Sequence, residues 1–151
     1  MKNKGIYVAV LIIVVICLAL SILILYEKSN DQTGQNICSA ISPSSQCQAV
    51  QESTYGRILG IDNPWFGIAG FSALIILSIL QMSLGDNLIR KYFIIAGMIF
   101  SGLLSLWFLY VQEFLIHMYC IFCLFIDGFS IISLVLGVIL LVRALKHKHL
   151  T

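Results

Sequence analysis

Four long apolar runs limit what this chain can fold into. They lie at about 6–26, 64–84, 92–111 and 117–142. A helix that crosses roughly 30 Å of hydrocarbon needs about 20 mainly apolar residues at about 1.5 Å rise each, and every run meets that length. The composition agrees, with 60% apolar and only 11% charged residues, against about half and about a quarter in a soluble domain. Lys2 and Lys4 precede the first run as they would in a signal peptide. However, the run is longer than a typical signal h-region and no clear small-x-small cleavage site follows it, so a retained helix is expected. The expected fold class is all-α: an integral membrane four-helix bundle, with the loop 27–63 forming a short-helix cap between helices 1 and 2. The chain 1–151 reads as a single membrane domain.

The basic residues orient the bundle. Lys2, Lys4, Arg90, Lys91, Arg143, Lys146 and Lys148 are seven of the nine Lys and Arg, and four crossings put all seven on one side. The other side holds Lys28 and Arg57, with Glu27, Asp31, Glu52, Asp62 and Glu113. A multi-pass protein of the cell membrane is therefore expected, with both termini cytoplasmic and the loop 27–63 extracytoplasmic. The formal charge of +2 identifies no partner, and no nucleic acid is expected.

This orientation brings two cysteine pairs to one face. Cys38 and Cys47 lie in the external loop, and Cys120 and Cys123 form a Cys-Ile-Phe-Cys motif near the external start of helix 4. Both would face an oxidising compartment, where disulfides form and persist. Cys-x-x-Cys on a helix sets two sulfurs about one turn apart. Near a helix start, unpaired amides and the macrodipole favour a thiolate, which makes Cys120 a good leaving group in thiol–disulfide exchange. Cys123, one turn deeper, is better placed to face a lipid-soluble oxidant.

Other readings of the same residues stay open. His117, Cys120 and Cys123 with a loop cysteine would make a zinc set, although none is expected. The cysteines would also serve a non-catalytic membrane subunit as structural disulfides. Cys17, mid-helix among Val and Leu, reads as a small core or lipid-facing residue. Asp127 is four residues beyond Cys123 and seven beyond Cys120, so the three share a helix face. An ionisable group in a membrane tends to face the bundle interior. There Asp127 either handles a proton or hydrogen-bonds the oxidant near the cysteines, or makes a plain interhelical hydrogen bond.

The loop itself reads as a folded cap. Ser29 to Asn36 is polar and irregular, Ser42-Pro43-Ser44-Ser45 is a turn, and Ser53 suits a helix cap. Gly56 and Gly60 permit close backbone approach. Asn63 suits the cap of helix 2, with Pro64 in its first turn. Trp65, Phe66, Tyr119 and Phe122, near the external helix ends, can bracket a flat ring, although Trp65 and Tyr119 equally suit interfacial anchors.

Taken in order, the loop pair, Ser53-x-Tyr55-Gly56-Arg57 with Gly60, Asn63-x-x-Phe66-Gly67 and Cys120-x-x-Cys123 resemble the vitamin K epoxide reductase family over nearly the whole chain. The disulfide-bond protein B family carries its pairs in the reverse order. The resemblance implies a four-helix bundle with a quinone (ubiquinone or menaquinone) bound beneath the cysteine loop. Cys120 and Cys123 would be the active-site pair and Cys38 and Cys47 the shuttle pair. Asn63 would hydrogen-bond a quinone oxygen, Phe66 would line the pocket and Ser53 would help to hold the cap. Asp127 stands where vertebrate members have a quinone-contacting tyrosine. Some microbial members carry a fused thioredoxin-like domain. None is expected here, so the expected partners are a separate exported thioredoxin-like protein, membrane lipid and the quinone pool. The expected activity is membrane thiol oxidation that generates disulfides. The alternatives are a vitamin K epoxide or quinone reductase producing hydroquinone, and the non-catalytic subunit above.

Overall fold

A computed structural model describes residues 4–29, 40–41, 46–58, 60–85 and 87–148. Four helices are long and apolar enough to cross a membrane. Helix α1 spans Lys4–Ser29, and α2, a short helix, spans Cys47–Glu52. Helices α3, α4 and α5 span Asn63–Ser83, Leu88–Tyr110 and Ile121–Lys148. The expected all-α membrane bundle is what forms. Helix α1 packs on α3 and α5, and α4 packs on α5 and α3, so the four long helices close a ring in chain order.

The ends of these helices follow from local chemistry. Pro64 occupies the first turn of α3, where its missing N–H costs nothing. Asn87 caps α4, its side chain accepting from Ile89 N at 2.9 Å. Between α3 and α4, Gly85 has φ +84°, and Arg90 closes the turn by donating to Gly85 O at 2.8 Å and to Gln81 Oε1 at 3.2 Å. The turn is short, so α3 and α4 run antiparallel.

Lipid-facing residues remain apolar and exposed, among them Val8, Ile12, Ile76, Phe100, Leu103 and Val142. The interior is built from Val10, Val14, Cys17, Phe71, Leu74, Ile94, Met98 and Leu140. Helix approach depends on small residues, because lipid tails supply no hydrophobic drive between spanning helices. A Cβ on Gly102 would lie 2.4 Å from Leu134 Cβ, so the bare backbone of α4 makes room there for a side chain of α5.

At one end of the bundle lies the expected folded cap. Helix α2 leads into a 3-10 turn, Thr54–Gly56, and then a hairpin of β1 (Arg57–Ile58) and β2 (Ile61–Asp62), with Arg57 opposite Asp62. A side chain at Gly56 would meet Gln51 O at 2.3 Å, which is why the 3-10 turn can fold back on α2. Asp62 then ties three elements together. Its Oδ1 accepts from Lys28 at the end of α1 and from Arg57 Nε on β1 at 2.9 Å. This also places the last turn of α1 beside the first turn of α3. Residues 30–39 and 42–45, including Cys38, the polar stretch to Asn36 and the turn at Ser42–Ser45, lie outside the described residues.

Two local expectations change. The last helix begins at Ile121, four residues later than its apolar run, because Val111–Ile116 winds on from α4 as a π-helical turn. That turn ends at His117 in the left-handed region, φ 54°. Asn63 does not cap α3. The cap position falls on Asp62, whose carboxylate is taken by Lys28 and Arg57, and the Asn63 amide instead donates to Tyr55 O at 2.8 Å.

Candidate redox site

Cys120 occupies the cap position of α5. Its carbonyl accepts from Leu124 N at 2.9 Å, the first helical bond. Its Sγ accepts from Cys123 N at 3.3 Å, in the manner of a capping side chain. The Cys123 thiol donates to the same sulfur, with the two Sγ atoms 2.6 Å apart. Both are free thiols. The bond from the Cys123 thiol, joined by the backbone N–H groups of Cys123 and Phe122, holds Cys120 below the ordinary thiol range, against the effect of burial. The chemistry of this arrangement is that of a dithiol ready to close, with the capping sulfur the better leaving group when it reopens.

The cap brings the loop pair to this place. Cys47, which is disulfide-bonded, opens α2 and lies in one buried cluster with Cys120, Phe122, Ile24 and Val50, with Cys123 packed against it. One backbone bond seats it: Gln46 N donates to Tyr119 O at 2.8 Å, one residue from each cysteine. Ser53 holds the far end of α2. Its hydroxyl donates to Val50 O at 2.7 Å and accepts from Gly56 N at 3.2 Å. Cys38 is outside the described residues.

One contributor escaped the sequence reading. Gln112, 3% exposed on the π-helical turn, spans the gap between the two sides of the site. Its Oε1 accepts from Cys120 N at 3.2 Å and its Nε2 donates to Asp127 Oδ2 at 3.3 Å. Asp127, 5% exposed, faces the interior as expected, and Ser105 of α4 also reaches it. Cys17 proves to be a core residue and lies beside Ser130. The signal for Gln112 was available, since a carboxamide in an apolar run needs a buried partner. Its partner, however, was not readable.

The remaining site residues separate into two groups. Phe122 is buried against the cysteines, whereas Trp65, Phe66 and Tyr119 are exposed on the outside of the bundle end. Tyr119 donates to Glu113 Oε2 at 2.5 Å, and that bond pushes its phenol above the ordinary range. Asn63 presents a buried Oδ1 with no hydrogen-bond partner among the described residues. Among the described residues no three His, Cys, Asp or Glu groups are arranged to hold a metal.

A sequence model of the vitamin K epoxide reductase family matches residues 8–138. The chain belongs to the vitamin K epoxide reductase family. As a member of that family with four spanning helices, it is a multi-pass membrane protein with a redox function related to disulfide chemistry. The family match extends from α1 into α5 and so takes in every cysteine of both pairs. No individual curated protein matches the chain.

Proposed function

We propose that this family member is a quinone-dependent thiol oxidase that generates disulfides outside the cytoplasm. The observation that carries the reading is the shared burial of Cys47 with Cys120 and Cys123 at the cap end of the bundle. A reduced thioredoxin-like protein attacks the Cys38–Cys47 disulfide at Cys38. The released Cys47 thiolate attacks Cys120, whose disulfide with Cys123 opens, and a second exchange leaves Cys120 and Cys123 as the dithiol. The charge pattern supports an extracytoplasmic cap and cytoplasmic termini. The chain's electron donor is an extracytoplasmic thioredoxin-like protein.

The residues present fit a quinone. Among the described residues, Asn63 has a buried acceptor oxygen without a partner, and its amide nitrogen gives one of its two hydrogens to Tyr55. It therefore suits both a carbonyl and the hydroxyl that replaces it. Phe122 supplies an apolar wall beside Cys123. Phe66, Trp65 and Tyr119 present exposed rings at this end of the bundle, open to a ring arriving from lipid. When bound, the quinone supplies a two-electron, two-proton sink. The protein's task is to keep the dithiol apart from water and to handle the protons.

Thiol trapping in membranes tests the reading. Replacing Cys38 and Cys123 by Ala should leave a Cys47–Cys120 mixed disulfide that resists alkylation, and quinone should reoxidise the wild-type dithiol. Failure of both Cys38→Ala and Cys47→Ala to slow reoxidation of a thioredoxin-like substrate would remove the shuttle pair from the scheme.

A further inference from the structure

The Gln112 bridge has no counterpart in the relay just described, and it joins two groups that matter to its last step. We propose that Gln112 is a positioning residue that couples Asp127 to the Cys120 end of the site, and that Asp127 accepts a proton released when the Cys120–Cys123 dithiol closes. The inference deepens the proposed function and rests on it for the identity of the oxidant.

The geometry carries the argument. A carboxamide accepts at one atom and donates at another across a fixed plane. Gln112 uses both ends, one on the Cys120 amide and one on the Asp127 carboxylate. Both contacts are buried, where an unpaired polar group is costly. The Asp127 carboxylate is thereby aimed at the face that carries Cys123, one helical turn away. The backbone is arranged for this contact. Gln112 lies on a π-helical turn that ends in a left-handed His117, and such turns are frequent at functional sites. Among the described residues, the titratable groups that interact with Asp127 are Cys120 and Cys123 near the start of its own helix and Cys17 on α1. From α4, Ser105 joins Gln112.

The step balances as follows. Closing the disulfide breaks two S–H bonds, forms one S–S bond, and releases two electrons and two protons. The electrons leave to a quinone, which also takes up two protons in becoming hydroquinone. Asp127 receives one of the released protons at a carboxylate oxygen and gives it up again towards that acceptor. Each turnover therefore returns the carboxylate to its starting state.

Two measurements on the full-length protein in detergent test this. The first needs no quinone: an infrared difference spectrum between the dithiol and disulfide forms, with dithiothreitol and diamide setting the redox state. Wild type should show a carboxyl band that follows the cysteines. Asp127→Asn should abolish it, and Gln112→Ala should displace it. Gln112→Asn keeps a carboxamide but is one methylene short of bridging, so it should behave as Gln112→Ala does. The second is single-turnover oxidation of the dithiol by a short-chain quinone. Asp127→Asn should slow it about 100-fold, a loss expected for a positioned proton acceptor, and Gln112→Ala about 10-fold. The double variant should be no slower than Asp127→Asn alone, since residues acting in one network are not additive. Thermal unfolding of each variant separates a folding defect from a proton-transfer defect. A wild-type spectrum without a redox-linked carboxyl band would overturn the inference, as would a double variant whose losses multiply. Should quinone fail to oxidise the wild-type dithiol while the carboxyl band still follows the cysteines, the oxidase reading fails and the Gln112–Asp127 coupling stands.

Discussion

The Cys120 sulfur accepts the backbone N–H of Cys123 at 3.3 Å, so the redox pair also caps the helix that carries it. The same atom is helix cap and reactive thiol. Replacing it should therefore divide its two roles. Cys120→Ser keeps an acceptor at the cap and should unfold within about 0.5 kcal/mol of wild type, whereas Cys120→Ala should lose about 1 kcal/mol, the usual value of a cap. Both should be inactive in thiol exchange. Denaturant unfolding in mild detergent, paired with alkylation of Cys123, reads the two effects separately.

Asp62 gives a pH signature to the cap. The hydrogen bond from Lys28, then that from Arg57, holds its carboxyl below the ordinary value of 3.8. A carboxylate whose folded value is depressed contributes stability above its unfolded value and loses it as pH falls through the folded one. The cap should accordingly hold unchanged through neutral pH and loosen only below about pH 4. Because Asp62 is only partly covered at the bundle end, the effect is modest and salt should weaken it. Asp62→Asn should reproduce the loosening at pH 7. Amide hydrogen exchange at Ile58 and Ile61 measures it, and unchanged protection in the variant would refute the role of the ion pairs.

Ser53 fastens the turn that follows α2, the helix opened by Cys47. Removing its hydroxyl deletes the bonds to Val50 O and Gly56 N, which together hold the turn after α2. Ser53→Ala should cost about 1 kcal/mol locally and raise the rate at which dithiothreitol reduces the Cys47 disulfide by about fivefold. Gly56→Ala should do more, since its Cβ would meet Gln51 O at 2.3 Å. Equal reduction rates in all three proteins would show that α2 is not gated from this end.

The α4–α5 contact sets the azimuth on which the site depends. Gly102→Ala puts a methyl group 2.4 Å from Leu134 Cβ. Overpacking of this kind typically costs about 1–3 kcal/mol. The same change should lengthen the Gln112–Asp127 contact, since both helices must part. Thermal unfolding gives the first effect. The infrared band of Asp127 gives the second, and a variant that is destabilised but keeps that band unmoved would show that the helices part elsewhere.

Much of this protein was legible locally. Hydropathy alone defines four spanning segments, because a helix in lipid must be apolar along its length. The adjacency of Cys120 and Cys123 follows from a three-residue spacing, and the inward face of Asp127 follows from the cost of an ionisable group in hydrocarbon. The fold of residues 46–58 and 60–62 into a cap was legible from Ser53, a capping residue type, and from Gly56 and Gly60, which permit close backbone approach.

Tertiary structure decided the rest, because the remaining relationships join residues that no periodicity links. Cys47 and Cys120 share a cluster because the bond from Gln46 N to Tyr119 O seats the start of α2 beside the start of α5, while Asp62 pins the hairpin to α1. Gln112 and Asp127 meet where Gly102 admits the Leu134 side chain between α4 and α5 and where a π-helical turn carries Gln112 off the α-helical course. Apolar spacing specifies that a helix crosses the membrane. The angle at which it faces its neighbours comes from packing, and that angle decides which buried polar groups find each other.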